Sequence, residues 1–207
     1  IGNEIYEFTK DTTDFTINKH NGFVFPIVVD GLTIQGKKGT VITSTYEVNT
    51  GNWNLQNFIT ISGSDVTFEN VDIQGNPNEF YDGTCNKAIE LIDGGSNLTL
   101  SNVEILPLKD SEGKLWSGSI YFNEAEAGTC TLEDVTLYGW VNAKAVTDGN
   151  VVADGVVTDF RDNEYAGFHT DDYGYAWNPG ISGTNVSTKG DGLIIKVDED
   201  TKLDQQI

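Results

Sequence analysis

The sequence predicts an all-β chain built as a parallel stack of short strands, and three observations predict it. An eight-residue word of alternating apolar positions, interrupted by a residue that tolerates left-handed backbone, occurs six times within 207 residues. A further short strand signal precedes most copies of the word. No run carries apolar residues at i, i+3, i+4 and i+7 over three turns, so the helical alternative has no support.

Taken in chain order, the word reads Ile27–Ile34, Val66–Ile73, Leu98–Ile105, Cys130–Leu137, Val151–Thr158 and Ile181–Thr188. Its fifth position holds Gly31, Asn70, Asn102, Asp134, Gly155 and Asn185, residue types that accept positive φ. Alternation on both sides of such a residue describes two strands, each with one face inward, joined by a sharp bend. Successive copies start 39, 32, 32, 21 and 30 residues apart, and the extra residues fall between copies as loops. The preceding strand signals are Phe58–Ile61, Ala88–Ile92, Ser119–Phe122, Ala143–Thr147 and Gly167–Thr170. A β-sandwich also alternates and also turns on Asn and Gly, but it does not repeat one word six times.

Composition narrows the function. The chain has 32 Asp and Glu against 12 Lys and Arg, a formal charge of −20, and Arg161 is its single arginine. Nucleic acid and anionic membrane surfaces select for clustered Lys and Arg, so neither is expected as a partner. No stretch approaches the ~18 apolar residues of a membrane-spanning helix. The chain starts at Ile1 and contains no methionine, and we read it as a mature or excised piece of a longer protein. Cys85 and Cys130 lack the spacing and histidines of a zinc site, so no metal centre is expected. A disulfide between them would suit an exported protein, but buried free thiols are the reading favoured here.

The segments ITISGSDVTFENVDIQG (59–75) and KAIELIDGGSNLTLSNVEIL (87–106) resemble coils of the pectin-lyase-like superfamily. Over residues 23–188 the resemblance implies a right-handed parallel β-helix, here of about six to seven rungs with aromatic-rich insertions on one side. Residues 1–22 then form an N-terminal cap, with Phe15 and Ile17 over the first rung. Residues 23–191 form the helix, and 192–207 form a last strand and charged tail. The superfamily includes lyases, hydrolases, phage spikes and surface adhesins, so the resemblance speaks to fold more than to activity.

The insertions carry the candidate chemistry. All four tryptophans lie in them, with several tyrosines; such rings pin long loops onto the solenoid by burying apolar area, and aromatic faces on one wall also suit stacking against sugar rings. The ligand-binding candidates are Trp53, Tyr81, Trp116, Trp140, Tyr173, Tyr175 and Trp177. If the chain is an enzyme, the catalytic candidates are Asp171, Asp172, His169 and Arg161. Hydrolysis would need an acid and a second carboxylate, and HTDDYGY (169–175) is the nearest match to the aspartate pair of polygalacturonases, without their accompanying segments. Lyase chemistry of the pectate type would use Arg161 as base and calcium on the substrate, yet Asp159, Asp162 and Glu164 around Arg161 would raise its pKa. No motif supports calcium, and no cofactor is expected. The reading is a non-catalytic module of a cell-surface or extracellular protein, monomeric as an isolated domain. It is adhesin-like or binds a polysaccharide or cell-surface glycan, and a polysaccharide lyase or glycoside hydrolase is the alternative.

Overall fold

The alternation of the repeated word translates directly into strand faces. The computed structural model describes residues 5–7, 14–17, 25–37, 39–44, 57–74, 87–92, 94–106, 108–109, 115–116, 119–122, 128–138, 141–143, 149–159, 169–170, 176–177 and 181–196. These residues are all-β, and no helix occurs among them. The chain opens with β1 (Ile5–Glu7) and β2 (Asp14–Ile17), followed by β3 (Phe25–Ile27), β4 (Thr33–Gln35) and β5 (Val41–Ser44). Next come β6 (Asn57–Ile61), β7 (Val66–Glu69) and β8 (Asp72–Gln74), then β9 (Lys87–Leu91) and β10 (Leu98–Leu106). A short pair, β11 (Leu108–Lys109) and β12 (Leu115–Trp116), precedes β13 (Ser119–Phe122), β14 (Thr129–Leu137), β15 (Val141–Asn142) and β16 (Asn150–Asp159). A second short pair, β17 (His169–Thr170) and β18 (Ala176–Trp177), leads to β19 (Ile181–Ser182) and β20 (Asn185–Lys196).

Two large sheets are parallel throughout. One runs β1-β4-β7-β10-β14-β16-β20, with β2, β5 and β8 joining it beside β10; the other runs β3-β6-β9-β13-β15-β19. Neighbours in the larger sheet pair like with like: Leu98 lies opposite Val66 on one side and Cys130 on the other, and Leu100 opposite Phe68 and Leu132. The inward columns so formed are dry. Val66, Leu98, Cys130 and Val151 make one, and Ile73, Ile105 and Leu137 another, all fully buried in a single apolar core. Each such aliphatic side chain contributes about 1.5–3 kcal/mol by leaving water.

The bends behave as the fifth position predicts. Asn70, Asn102 and Asp134 have φ of 55°, 51° and 52°, and Gly155 has 65°. Asn102 Nδ2 donates to Asn70 Oδ1 at 2.7 Å, linking one bend to the next. At Gly155 a Cβ would lie 2.5 Å from Asp134 Oδ1, so any side chain there would have to displace that carboxylate.

The first and last copies of the word are five residues out of step. Ile34 pairs with Phe68 and Ile27 with Ile61, so the first unit begins at Leu32 rather than Ile27. Its bend is Gly36, whose N–H donates to Glu69 C=O at 2.9 Å; Thr40 N–H then donates to Lys37 C=O at 2.9 Å, and Thr40 and Ile42 point inward. Likewise Val186, not Ile181, lies opposite Val151, while Ile181 belongs to the smaller sheet opposite Val141. The cause is that apolar, any, apolar, then Gly or Asn also describes a strand end entering the turn between the two sheets. Val28, on that turn, is 71% exposed. The smaller-sheet strand of the last repeat is therefore Ile181–Ser182 and not Gly167–Thr170, and the one before it starts at Val141, ahead of the expected Ala143.

Within the stretch expected to cap the stack, β1 and β2 themselves pair in parallel with β4 and β5, placing Phe15 opposite Ile42 and Ile17 opposite Ser44. At the other end β20 spans residues 191 and 192, where its pairing with β16 shifts register between Lys189 and Leu193 and Gly190 and Gly192 take positive φ. Cys130 is a free, buried thiol, and desolvation pushes its pKa up to about 12; Cys85 lies outside the described residues.

Candidate functional site

Strand register decides where the insertions leave the sheets. The larger sheet's strands end at Ser44, Gln74, Leu106, Leu137 and Asp159, and the smaller sheet's strands begin at Asn57, Lys87, Ser119, Val141 and Ile181. Because both sets pair in register across the repeats, the roots of all five insertions line up along one corner. The alignment follows from parallel pairing at near-constant register, which repeats each position one strand spacing, about 4.8 Å, further along.

Two of the insertions contain short antiparallel pairs. Trp116 on β12 lies opposite Leu108 on β11, and His169 on β17 lies opposite Trp177 on β18. The backbone thus brings together one catalytic candidate, His169, and one ligand-binding candidate, Trp177. Trp53, Tyr81, Trp140, Arg161, Asp171, Asp172, Tyr173 and Tyr175 lie outside the described residues.

The outward face of the smaller sheet holds a group that the sequence reading missed. Register places Pro26, Thr60, Glu90 and Tyr121 in one outward row, alternating with the inward Ile59, Ile89 and Ile120. Outward positions normally stay wet, yet Glu90 is only 3% exposed, and Thr60 and Ala88 on the same face are also buried. A carboxylate is almost never so covered unless it is paired, and Glu90 is indeed engaged in an interaction. The one sequence signal was Ala88, a small residue at an outward position beside Glu90, and alternation alone cannot tell covered from open.

The outward face of the larger sheet is different in kind. Thr33, Thr67, Thr99 and Thr131 form a row of neighbours, and Gln35, Glu69, Ser101, Glu133 and Asp154 form the next, all partly or fully exposed. Here the acidic excess is solvated or locally bonded: Tyr138 Oη donates to Glu104 Oε1 at 2.7 Å, and the Asp72 carboxylate accepts from Glu104 N–H at 3.1 Å. Near the root of the last insertion, Asp159 is mostly buried and faces Lys196 Nζ at 3.9 Å. Among the described residues no three His, Cys, Asp or Glu converge as a metal site. No helix among them is long and apolar enough to cross a membrane.

No protein-family model matches the chain, and no curated protein or solved structure matches it.

Proposed function

We propose that the chain is a right-handed parallel β-helix of the pectin-lyase-like kind, serving at a cell surface as a rigid, non-catalytic wall that presents aromatic insertions to a polysaccharide or glycan. The observation that carries this reading is the alignment of all five insertion roots along one corner, with Trp116 and Trp177 on short strands within two of those insertions. A stiff wall keeps the spacing of its loops, so a ligand meets several of them at once without ordering the scaffold. The alternative reading is a lyase or hydrolase using His169 with Asp171, Asp172 and Arg161.

One experiment separates the two readings. The full chain is screened against neutral and acidic oligosaccharides by calorimetry and tryptophan fluorescence, with reducing ends and unsaturated-uronate absorbance followed in parallel. Binding that weakens about five- to thirtyfold in Trp177→Ala or Trp116→Ala, with no turnover, is the expected result, since stacking on one ring is worth about 1–2 kcal/mol. Turnover would transfer the assignment to the enzyme reading. Absence of binding at millimolar ligand would overturn the carbohydrate assignment altogether.

A further inference from the structure

Strand register brings the chain's two Asn-x-Ser/Thr triplets to one place. Asn97-Leu98-Thr99 and Asn185-Val186-Ser187 are the only such triplets in the sequence. Leu98 pairs with Cys130, Thr129 with Asn150 and Asn150 with Asn185, so Asn97 and Asn185 stand in one column with Thr129 and Asn150 between them. At about 4.8 Å per strand, the two asparagines are about 14 Å apart along the stack. Both are exposed. Positions i and i+2 of an extended chain share a face, which puts Thr99, half-buried, and Ser187, exposed, on the same outward side as the asparagines that precede them.

The two amides can lose a hydrogen without leaving the stack. Asn97 Nδ2 donates to Asp65 Oδ1 at 2.7 Å, and its Oδ1 accepts from Thr129 N–H at 2.9 Å. Asn185 Nδ2 donates to Asn150 Oδ1 at 3.0 Å. A side-chain amide nitrogen carries two hydrogens, so replacing one by a sugar leaves a donor for each of these bonds. Next to Asn97 the following repeat carries Gly128, where even a Cβ would lie 3.2 Å from Asn97 Oδ1, so no side chain at that position crowds the amide. The column stands where the smaller sheet's strands pass into the larger sheet, whereas the insertions root where the larger sheet's strands return. A bulky group on it leaves the insertions open.

We propose that Asn97 and Asn185 are acceptor sites for N-linked glycans, which line one corner of the stack. An exposed Asn with a hydroxyl two residues on is the acceptor pattern of that modification in exported proteins. The co-substrate is an oligosaccharide carried on a polyprenyl diphosphate. Nδ2 bonds to the anomeric carbon of its first sugar as the bond from that carbon to the diphosphate oxygen breaks; the diphosphate leaves with the electron pair, and the amide proton passes to the transferase's base. The proposal rests on the cell-surface reading, since an exported chain is what meets such a donor, and it is independent of what the insertions bind.

Peptide mass spectrometry on the chain isolated from its own cells tests the proposal, with fragmentation that keeps glycans attached. Trypsin releases residues 88–109, which carry Asn97 and, outside any triplet, Asn102; it also releases residues 162–189, which carry Asn185 with Asn163 and Asn178. The expected result is glycan mass on Asn97 and Asn185 and on no other asparagine of the two peptides. Thr99→Val, which removes the hydroxyl and keeps the side chain's shape, should abolish the glycan on Asn97 and spare that on Asn185, while Thr99→Ser should keep both. Protease added to intact cells reports in parallel whether the chain is at the surface. A surface-exposed chain with both asparagines bare overturns the proposal and leaves the cell-surface reading standing, whereas a chain held inside the cell and bare overturns both. Glycan that persists on Asn97 in Thr99→Val also overturns the proposal.

Discussion

Asn102 sits at a bend with φ of 51°, and its Nδ2 donates to Asn70 Oδ1 at 2.7 Å, so two separable energies meet in one residue. Alanine there loses both. The exposed side-chain hydrogen bond is worth about 1 kcal/mol, and holding a Cβ-bearing residue without asparagine's local bonding in left-handed backbone costs about 1 kcal/mol more. Asn102→Ala should therefore destabilise by about 2 kcal/mol, and Asn102→Gly, which keeps the backbone at ease, by about 1 kcal/mol. For a chain of this size each kcal/mol lowers Tm by about 2–4 °C. Urea unfolding followed by circular dichroism and tryptophan fluorescence measures both variants. Glycine as damaging as alanine would show that the left-handed bend is not under strain. Neutrality of both would show that the asparagine link between bends contributes nothing.

Two other outcomes follow from buried groups. Thr158 Oγ1 is buried on the inward column with no hydrogen-bond partner among the described residues. Thr158→Val should accordingly stabilise by about 1 kcal/mol in the same urea assay, and a loss of stability would reveal a partner for the hydroxyl. Cys130 should resist a thiol reagent in the folded chain and react on unfolding. Because its folded pKa, about 12, stands above the unfolded value, the stability it contributes is complete below about pH 8.5. That contribution then declines by about 1.4 kcal/mol per pH unit until the folded thiol also ionises near pH 12. Cys130→Ala should flatten the alkaline fall in the urea midpoint, and identical slopes in the two proteins would contradict the burial.

Much of the stack was legible in the amino-acid sequence because its causes are local. Alternation with period two tells Leu98 and Leu100 from Thr99 and Ser101, and a residue tolerant of positive φ marks the bends at Asn70, Asn102, Asp134 and Gly155. These preferences act within a few bonds, so eight residues suffice to express them. Tertiary structure alone decided the register at the two ends, where Ile27 and Ile181 satisfy the same local pattern as Leu32 and Val186. Only pairing with Ile61 and Val141 assigns the first two to the smaller sheet. The same holds for Glu90, which alternation places outward on β9, and for β20, whose apolar residues read like any other strand's. Whether an outward carboxylate is covered, or an inward isoleucine is left open, depends on what lies one strand or one layer away. Local sequence carries no record of that neighbour.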